Sequence, residues 1–377
     1  MKALILAGGH GTRLHPLTMR TPKCLLPIAG KPNILYMIEL LEKAGIRDIY
    51  VSINDRQLKI NDFLKDRAVN LIIENQENGK LGSIGGLNYA VNKIGEDNII
   101  VLGADNFLHG LDLKSFSKNI REDSALLALY NLPEKYMVEL FGIAELNGEV
   151  ITSFQEKPRM EEAKSMLGST LIYGLGKEWI KNKLPVYIRN NKNLDTIGSM
   201  WQYFCTKDTL YGFTFKGLWA DIGNARAYVE LNNKIMNERR IHKNVAIGEG
   251  TKINGNVIIE DGCEIGKNCV INQGTHIMHG TKIDDGAVIS NSIIFENAKI
   301  GKNSAISKSI IDGYATIGDN VRIHDYCIVG YKSTISNNST LIKNSKVWPF
   351  LKAEGVIDGN VVFIKDETDL TKSKYWC

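Results

Sequence analysis

The stretch AIGEGTKINGNVIIEDGCEIGKNCVINQGTHI (residues 246–277) repeats every six residues, and this period decides the fold of the C-terminal part of the chain. Isoleucine recurs at the same place in each hexad, and glycine or asparagine mostly fills the turns between. The six-residue step is kept without a miss by Ile247, Ile253, Ile259, Ile265, Ile271, Ile277, Ile283 and Ile289. The step shortens to five residues at Ile294 and again at Ile311, and resumes after each.

A period of six fits neither a helix, which repeats every 3.6 residues, nor a single strand, which repeats every two. It is typical of a hexapeptide solenoid, in which each hexad forms a short strand and a turn, and three hexads close one coil. We therefore expect Ile247 to lie under Ile265 and Ile283. The segment 347–377 leaves the repeat at Trp348-Pro349, and we expect it to fold back as a cap, because an open solenoid end exposes unpaired strand edges.

Up to about residue 237 the chain has another pattern, in which short apolar runs alternate with amphipathic stretches. The strand-like runs are KALILA (2–7), DIYVSI (48–53), NLIIE (70–74), NIIVLG (98–103), SALLALY (124–130), FGIAEL (141–146) and EVITSF (149–154). Helical spacing of apolar residues occupies 33–45, 57–66, 85–94 and 224–240. Alternation of strand and helix predicts an α/β domain with a doubly wound, mostly parallel sheet.

Length and composition limit the possible classes of protein. A chain of 377 residues exceeds the size at which one core usually stops growing, so we expect more than one domain. The net charge of +4 is too small to favour nucleic acid or membrane partners. No run approaches the roughly 18 apolar residues of a membrane span, and the six cysteines have no paired spacing. We expect a cytoplasmic protein with reduced thiols.

A glycine-rich turn follows the first predicted strand, in LILAGGHGTRL (residues 4–14). Glycines in such a turn allow backbone N–H groups to face a concavity and a bulky anion to come close. Arg13, and Lys23 after Pro22, add positive charge that suits a triphosphate. The turn is neither a Walker loop, which needs GxxxxGK[ST], nor GxGxxG, whose third glycine is replaced by Leu14.

The ordered set GGxGTRLxPLTxxxPKxLLPIxGKP resembles the sugar-1-phosphate nucleotidylyltransferases, also called nucleotide-sugar pyrophosphorylases. Four later patches occur in the same order as in that family: LGSIGG (81–86), GADN (103–106), FQEKP (154–158) and WADIG (219–223). A C-terminal hexapeptide β-helix is also common there. The resemblance implies a Rossmann-like nucleotidyltransferase domain followed by a left-handed parallel β-helix.

The reaction that this resemblance implies joins a nucleoside triphosphate and a hexose-1-phosphate, and releases pyrophosphate. The protein must then supply cations and positioning, because several negative charges meet. By resemblance, Arg13, Lys23 and Lys157 are the catalytic cations. The nucleotide would contact Ala7, Gly8, Gly9, Gly11, Thr12, Gln76 and Gly82.

The resemblance also implies a metal ion and a sugar-phosphate site. Asp105 and Asp221 would bind Mg²⁺, which prefers hard oxygen ligands and bridges phosphates. Lys157 would neutralise the sugar phosphate, and Glu156 and Ser169 would contact the sugar.

Two positions depart from the family pattern. The residues Ser169-Thr170-Leu171-Ile172-Tyr173 stand where the family usually has Asn-Ala-Gly-Ile-Tyr, so an amide is replaced by a hydroxyl and a glycine by a leucine. Ala104 is an extra residue in GADN, which could displace Asp105 by one step. The base and the sugar stay open between a mannose-1-phosphate guanylyl type and a glucose-1-phosphate thymidylyl or uridylyl type.

Two other functions are consistent with parts of the sequence. The β-helix could hold an amino-sugar-phosphate acetyltransferase, with His276, His279 or His324 as general base. Alternatively, the chain could be a non-catalytic regulatory subunit of the same family. The main hypothesis places a catalytic domain at 1–237, a β-helix at 241–346 that mediates homo-oligomer formation, and a tail at 347–377.

Overall fold

A computed structural model describes residues 1–55, 57–74 and 81–361. The chain divides into two compact units. The first comprises Met1–Gly9 and Asn33–Asp221, and the second comprises His10–Pro32 and the chain from Ile222 onwards. No helix within the described ranges is long and apolar enough to cross a membrane.

The first unit contains eleven strands and seven helices among its described residues. The strands are β1 (Lys2–Leu6), β2 (Ile49–Asn54), β3 (Asn70–Glu74), β4 (Ile99–Gly103), β5 (Asn106–His109), β6 (Ala125–Asn131), β7 (Gly142–Asn147), β8 (Val150–Glu156), β9 (Leu167–Leu175), β10 (Leu210–Phe215) and β11 (Leu218–Asp221). The helices are α1 (Asn33–Lys43), α2 (Leu58–Leu64), α3 (Gly82–Ile94), α4 (Leu113–Lys118), α5 (Lys177–Asn182), α6 (Leu184–Asn190) and α7 (Ile197–Cys205).

Nine of these strands form one sheet in the order β3-β2-β1-β4-β9-β6-β10-β8-β7, and β5 pairs with β11 in a separate ribbon. The strands β3, β2, β1 and β4 are all parallel to their neighbours, as the alternating pattern predicts. Beyond β4 the sheet is mixed, and only β6 and β10 run parallel there. The sheet is therefore parallel in the half that follows the strand–helix alternation, rather than over most of its width.

The burial of the strands explains why the parallel half of the sheet could be predicted from the sequence. Ala3, Leu4 and Ile5 are fully buried, and so are Ile99 to Leu102 in the neighbouring β4. Continuous apolar runs of this kind are typical of strands that are covered on both faces. The carboxyl ends of β1 and β4 meet at one edge, where the amide of Ala104 donates to the carbonyl of Leu6 over 2.9 Å.

The second unit is a parallel β-helix preceded by a helix, α8 (Ala225–Ile235). Three parallel sheets of eight, seven and seven short strands form its sides. The first side consists of Arg240–Ile241, Val257–Ile259, Thr275–Ile277, Ile293–Ile294, Ile310–Ile311, Ile328–Val329, Lys346–Val347 and Asn360–Val361. The second consists of Ala246–Ile247, Glu264–Ile265, Lys282–Ile283, Lys299–Ile300, Thr316–Ile317, Thr334–Ile335 and Lys352–Ala353. The third consists of Lys252–Ile253, Val270–Ile271, Val288–Ser290, Ala305–Ser307, Arg322–Ile323, Thr340–Leu341 and Val356–Ile357.

The strand register confirms the stacking that the hexads predict. Ile247 pairs with Ile265, and Ile265 pairs with Ile283. The five-residue steps close shorter coils, in which Ile277 pairs with Ile294 and Ile294 with Ile311. The inward isoleucines form one continuous buried cluster. The left-handed sense of the coil stays a prediction.

The β-helix continues past residue 346, and the expected departure at Trp348-Pro349 is wrong. Three further strands follow, and each continues one side of the coil in register. Lys352 pairs with Thr334, Val356 with Thr340, and Val361 with Val347. The coil tolerates this sequence because its inward positions need an apolar residue but not isoleucine. Residues 362–377 of the expected cap lie outside the described part of the chain.

One outer face of the β-helix is buried as well as its interior. The outward residues on the first side are almost fully buried, and they are Ile258, His276, Ile293, Ile310 and Ile328. The helix α8 lies nearby in the same unit, since Asn233 Nδ2 donates to Asn291 Oδ1 over 3.2 Å and Tyr326 Oη to Glu230 Oε1 over 2.9 Å. The segment His10–Pro32 is tied to α8, where Tyr228 Oη donates to Pro27 O over 2.8 Å.

The stacked isoleucines should carry the stability of the β-helix. We predict that Ile289→Ala lowers the free energy of unfolding by about 2–5 kcal/mol, because it opens a cavity in a fully buried ladder. Val288→Ala is the matched control, since Val288 is 37% exposed on the same strand and should change stability by less than about 0.5 kcal/mol. Urea unfolding measures both, and equal effects of the two changes would contradict the stacked-core account.

Candidate active site

The turn after β1 carries Ala7, Gly8 and Gly9 at the carboxyl edge of the sheet. Its carbonyl groups are fixed by side chains from the next strand and the start of the next helix. Asn54 Nδ2 donates to Gly8 O and Gln57 Nε2 to Gly9 O, each over 2.8 Å. Among the described residues other than its chain neighbours, none has an atom within 4 Å of the position that a Cβ on Gly9 would take. Sequence reasoning missed Asn54 and Gln57, because their role depends on contacts between distant segments.

A buried carboxylate also faces this turn. Glu74 ends β3, is 6% exposed, and accepts a hydrogen bond from Ser52 Oγ over 2.6 Å. Its oxygens lie close to Gly8 and Gly86, where a Cβ on Gly86 would come within 3.0 Å of Oε1. Burial raises the pKa of Glu74 above its ordinary value, although the hydrogen bond from Ser52 opposes the shift. The only signal in the sequence is a charged residue at the end of an apolar strand.

Gly82 begins α3 in a conformation that other residues avoid. Its φ is +72°, and a Cβ there would lie 2.6 Å from the carbonyl oxygen of Leu194. The amide of Ile84 donates to that same oxygen over 2.8 Å. Glycine is therefore required by backbone packing at this position, whatever it binds. Gln76, the other residue predicted to contact the base, lies outside the described residues.

Asp105 and Asp221, the predicted metal ligands, lie on neighbouring backbone segments. Asp105 occupies the turn between β4 and β5, and Asp221 ends β11, which pairs with β5 so that Asp221 lies opposite Asn106. Both aspartates are partly buried. Antiparallel partners of this kind have Cα atoms about 4.5–5.5 Å apart, so the backbone of Asp221 lies next to Asn106, the residue that follows Asp105.

A hydrogen-bond network fixes the turn that carries Asp105. Asn33, fully buried at the start of α1, donates through Nδ2 to the carbonyls of Ala104 and Asn106, over 3.0 and 2.9 Å. Asn106 donates to Asp105 Oδ1 over 2.9 Å and accepts from Trp219 Nε1 over 2.7 Å. The backbone N–H and the carbonyl of the extra residue Ala104 are thus both hydrogen-bonded, and the turn that contains it is fixed.

The donor set of this ribbon suits a hard divalent cation. Two carboxylates offer oxygen ligands only, which Mg²⁺ prefers, and it usually takes its other ligands from water and substrate phosphates. Among the residues that the structure describes, no group of three or more His, Cys, Asp and Glu side chains could hold a metal ion. The pair would therefore form an open site, completed by the substrate.

Glu156 ends β8 of the same sheet, and Lys157 directly follows it. Lys157 has a φ of +48°, is 55% exposed, and its Nζ lies 3.7 Å from Glu156 Oε1. The Glu156 carboxylate packs against the first turn of α7, where a Cβ on Gly198 would lie 1.7 Å from Oε2. Burial raises the pKa of Glu156, and the charge of Lys157 opposes this shift. Gly198, like Asn54 and Gln57, is a residue that sequence reasoning missed.

The departure from the family pattern falls at an irregular point of β9. The pairing of β9 with β6 shifts register between Ser169 and Tyr173. Leu171 lies within this shift with a φ of +57°, a left-handed conformation that favours glycine. Its side chain covers Gly103, so that a Cβ on Gly103 would meet Leu171 Cδ2 at 2.4 Å. Leu171 therefore fills space directly beside the turn that carries Asp105.

Tyr173 connects the acidic ribbon with the Glu156 region. It is 2% exposed, and burial raises its pKa to about 12. The carboxylates of Glu156 and Asp105 both act on its hydroxyl electrostatically, and Ser169 adjoins it. The first unit thus brings Asp105, Glu156 and Ser169 around one buried tyrosine.

The remaining predicted residues belong to the second unit. Gly11, with a φ of +63°, precedes a 3-10 turn (Thr12–Leu14), and its carbonyl accepts a hydrogen bond from Thr18 Oγ1 over 2.8 Å. Thr12 and Arg13 are exposed. Lys23 is 9% exposed in a second 3-10 turn (Lys23–Leu25) that begins after Pro22.

The histidines proposed for acetyl transfer are dispersed on the β-helix. His276 is fully buried, and its Nε2 lies 2.7 Å from Glu260 Oε1. His279 and His324 are exposed. A buried imidazole held by a glutamate cannot act as base on a solvent-borne substrate without rearrangement, so this argument disfavours His276 and leaves His279 and His324 as candidates.

An open α/β sheet with a parallel half and a glycine-containing turn at the carboxyl edge of that half belongs to the Rossmann-like class of folds. Residues 2–238 match the family described as Nucleotidyl transferase, and residues 253–362 match the GMPPB C-terminal domain. The first match covers more than half of the sequence, and the chain belongs to the nucleotidyl transferase family.

Individual relatives agree with this assignment. The chain is 31% identical to UTP–glucose-1-phosphate uridylyltransferase of Synechocystis over 66% of this chain and 66% of that protein. It is 30% identical to probable mannose-1-phosphate guanylyltransferase 3 of Oryza sativa over 78% of this chain and 86% of that protein. A solved structure of a putative glucose-1-phosphate thymidylyltransferase from Bacillus anthracis, in complex with sucrose, has a TM-score of 0.53 and 26% identity, covering 62% of this chain and 94% of that one.

The contact between Glu156 and α7 gives a test of the predicted role of Glu156 in sugar-phosphate binding. We predict that Gly198→Ala raises the KM for the sugar phosphate roughly tenfold, because the new methyl group displaces the Glu156 carboxylate. The side chain can move outwards, so the thermal midpoint should change little. Steady-state kinetics measures the effect, and Ser199→Ala, exposed at the next helix position, is the control. An unchanged KM in Gly198→Ala would remove Glu156 from the sugar site.

Proposed function

We propose that this chain transfers a nucleotidyl group from a nucleoside triphosphate to a hexose-1-phosphate. An oxygen of the sugar phosphate attacks the α-phosphorus, the bond from the α-phosphorus to the bridging β-oxygen breaks, and pyrophosphate leaves with the electron pair. The observation that supports this proposal best is the pairing of β5 with β11, in which Asp221 lies opposite Asn106, the residue that follows Asp105.

The charges of the reactants determine what the protein must supply. Two phosphorylated anions repel each other, so catalysis here requires cations and alignment rather than a protein nucleophile. Lys157 would bind the sugar phosphate, and Arg13 and Lys23 would neutralise the triphosphate. Glu156 and Ser169 would accept or donate hydrogen bonds to sugar hydroxyls, and the backbone of Ala7, Gly8 and Gly9 would approach the nucleotide.

Mg²⁺ is the ion that we propose for the acidic pair. When bound, it would neutralise phosphate charge and withdraw electrons from the α-phosphorus. Asp105 and Asp221 would hold it, and Asn106 and Asn33 would keep the Asp105 turn in place. Family members generally use a divalent metal, and the oxygen-only donor set favours Mg²⁺ over softer ions.

The choice of substrates rests on the relatives. We propose GTP and mannose-1-phosphate as the first pair to test, because the Oryza sativa relative covers the larger share of both chains. Glucose-1-phosphate with UTP or dTTP is the alternative, supported by the Synechocystis protein and the Bacillus anthracis structure. We further propose a cytoplasmic enzyme that forms homo-oligomers through its β-helix.

Pyrophosphate release from a panel of triphosphates and sugar phosphates with Mg²⁺ tests the activity. One pair should give turnover well above the rest, and nucleotide sugar should form in equal amount. No release from any pair would favour the regulatory-subunit alternative.

The acidic pair can be tested separately. We predict that Asp221→Asn lowers kcat by at least about a hundredfold, because an amide removes the negative charge that holds the metal and keeps the shape. Raising Mg²⁺ should restore part of the rate. Asp123→Asn, at an exposed turn of the same unit, should leave kcat unchanged. A wild-type rate in Asp221→Asn would contradict the two-carboxylate site.

A further inference from the structure

We propose that the β-helix positions the glycine-rich segment His10–Pro32 through Arg20 and Lys346, which makes these two side chains positioning residues for Arg13 and Lys23. The segment belongs to the same compact unit as the β-helix. The inference rests on the proposed function of Arg13 and Lys23, and it assigns the β-helix a role in the reaction beyond assembly.

The first fixing point is the guanidinium of Arg20. Its Nη1 lies 3.1 Å from Asp312 Oδ1, and its Nη2 is paired with Glu296 Oε1. Its Cζ also lies 4.5 Å from the ring centroid of Tyr331. Gly313 leaves room for this approach, since a Cβ there would come within 2.6 Å of Arg20 Nη1. Four groups of the β-helix thus converge on one arginine.

The second fixing point is next to Arg13 itself. Lys346 Nζ donates to the carbonyl oxygen of Arg13 over 3.0 Å. The ring of His15 packs edge-on against Trp348, with centroids 6.0 Å apart. The β-helix therefore contacts the backbone at Arg13 and again two residues later, so the chain that follows the Arg13 side chain is held at two points.

These groups come from one corner of successive coils. Asp312, Gly330 and Trp348 each directly follow a strand of the first side. The backbone amide of each donates a hydrogen bond to a carbonyl of the next coil, which continues the ladder of that side. Glu296 and Tyr331 come one residue later in their coils. The hexapeptide coil itself does not need a charged residue at this corner, as Phe295 and Gly330 at the positions equivalent to Asp312 demonstrate.

The burial of the Asp312 carboxylate is unfavourable in free energy. Its side chain is fully buried, and within the described residues its Oδ2 has no hydrogen-bond partner. Burial raises the pKa of Asp312 to about 7, and the charge of Arg20 opposes the shift. The charged or titratable groups that face it are Arg20, Glu296, Tyr228 and Tyr331. The ion pair with Arg20 explains why a carboxylate is buried at this position, because without Asp312 the guanidinium of Arg20 would have one counter-charge fewer.

Fixing the segment matters because catalysis by cations depends on their placement. A loop that becomes ordered only on binding loses conformational freedom at that moment, and this loss lowers both the affinity and the rate. Displacement of a positioning group by about 1 Å can cost about a hundredfold in rate. A segment that is already held by the β-helix would avoid this cost.

The kinetic test uses a matched pair of lysines on the last coil. Lys346→Met removes the donor to Arg13 O and keeps the aliphatic chain, and it should lower kcat/KM for the triphosphate about tenfold or more. Lys352→Met is the control, because Lys352 is exposed and its Nζ lies 3.7 Å from Glu354 Oε2, in an ion pair that does not involve the segment His10–Pro32. Equal kcat/KM values for the two variants would overturn the assignment of Lys346.

Asp312→Asn tests the arginine cluster through its pH profile. Ionisation of Asp312 strengthens its pairing with Arg20, so kcat/KM of the wild type should contain a rise through about pH 7 that the variant lacks. Arg20→Lys should lower kcat/KM about tenfold, because an ammonium cannot pair with two carboxylates in the same fork geometry. A merely structural role would lower the thermal midpoint and leave both the pH profile and kcat/KM at low temperature unchanged.

Hydrogen exchange of the full chain separates this inference from the proposed function. In Arg20→Lys and Asp312→Asn, amides of residues 11–26 should exchange faster, and those of the buried ladder at Ile277 to Ile311 should not. If the wild type shows no turnover but the segment is loosened as expected, the proposed function fails and the anchoring stands. If turnover is normal and neither exchange nor kcat/KM changes in the variants, the anchoring is wrong.

Discussion

The candidate site depends on one buried amide. Asn33 Nδ2 donates hydrogen bonds to the carbonyl groups of the two residues that flank Asp105. More than seventy residues of sequence separate Asn33 from these two carbonyls. They fix the turn between β4 and β5 independently of any ligand, and Asn106 then fixes the Asp105 carboxylate itself. An acidic side chain on a turn held in this way is fixed before any ligand binds, so the proposed cation would not have to order this loop.

The sequence allowed the β-helix to be predicted to the level of strand register, because one residue type at one period determines which side chains stack. Its end was predicted less well. Leu341, Val347, Ala353 and Ile357 continue the buried ladder although the isoleucine signal fades and Trp348-Pro349 interrupts it. A period reports the residue that fills most inward positions, whereas the coil requires only an apolar side chain of suitable size. The mixed half of the sheet was not readable for a related reason, since β9 contains glycines and a register shift rather than an alternating pattern.

Within the candidate site, the motifs name candidate residues, but they do not name the residues that hold those candidates in place. Asn54, Gln57 and Gly198 act only through partners far away in sequence, so no local pattern marks them. The glycine-rich stretch that reads as one motif also divides after Gly9 between two compact units. Local patterns identify chemical groups, and the tertiary contacts that place those groups leave no signature of comparable strength.

Leu171 combines a backbone cost with a packing gain. A leucine at φ +57° is disfavoured by roughly 1–2 kcal/mol relative to the right-handed region, a cost that the glycine usual in this family would not bear. Its side chain recovers part of this through contact with Gly103 and with the core of the first unit. The same contact occupies volume beside the Asp105 turn, so a substrate group that a glycine would admit meets a branched apolar side chain here. The strained residue therefore links the local conformation of β9 to the shape of the space in which the proposed sugar would lie.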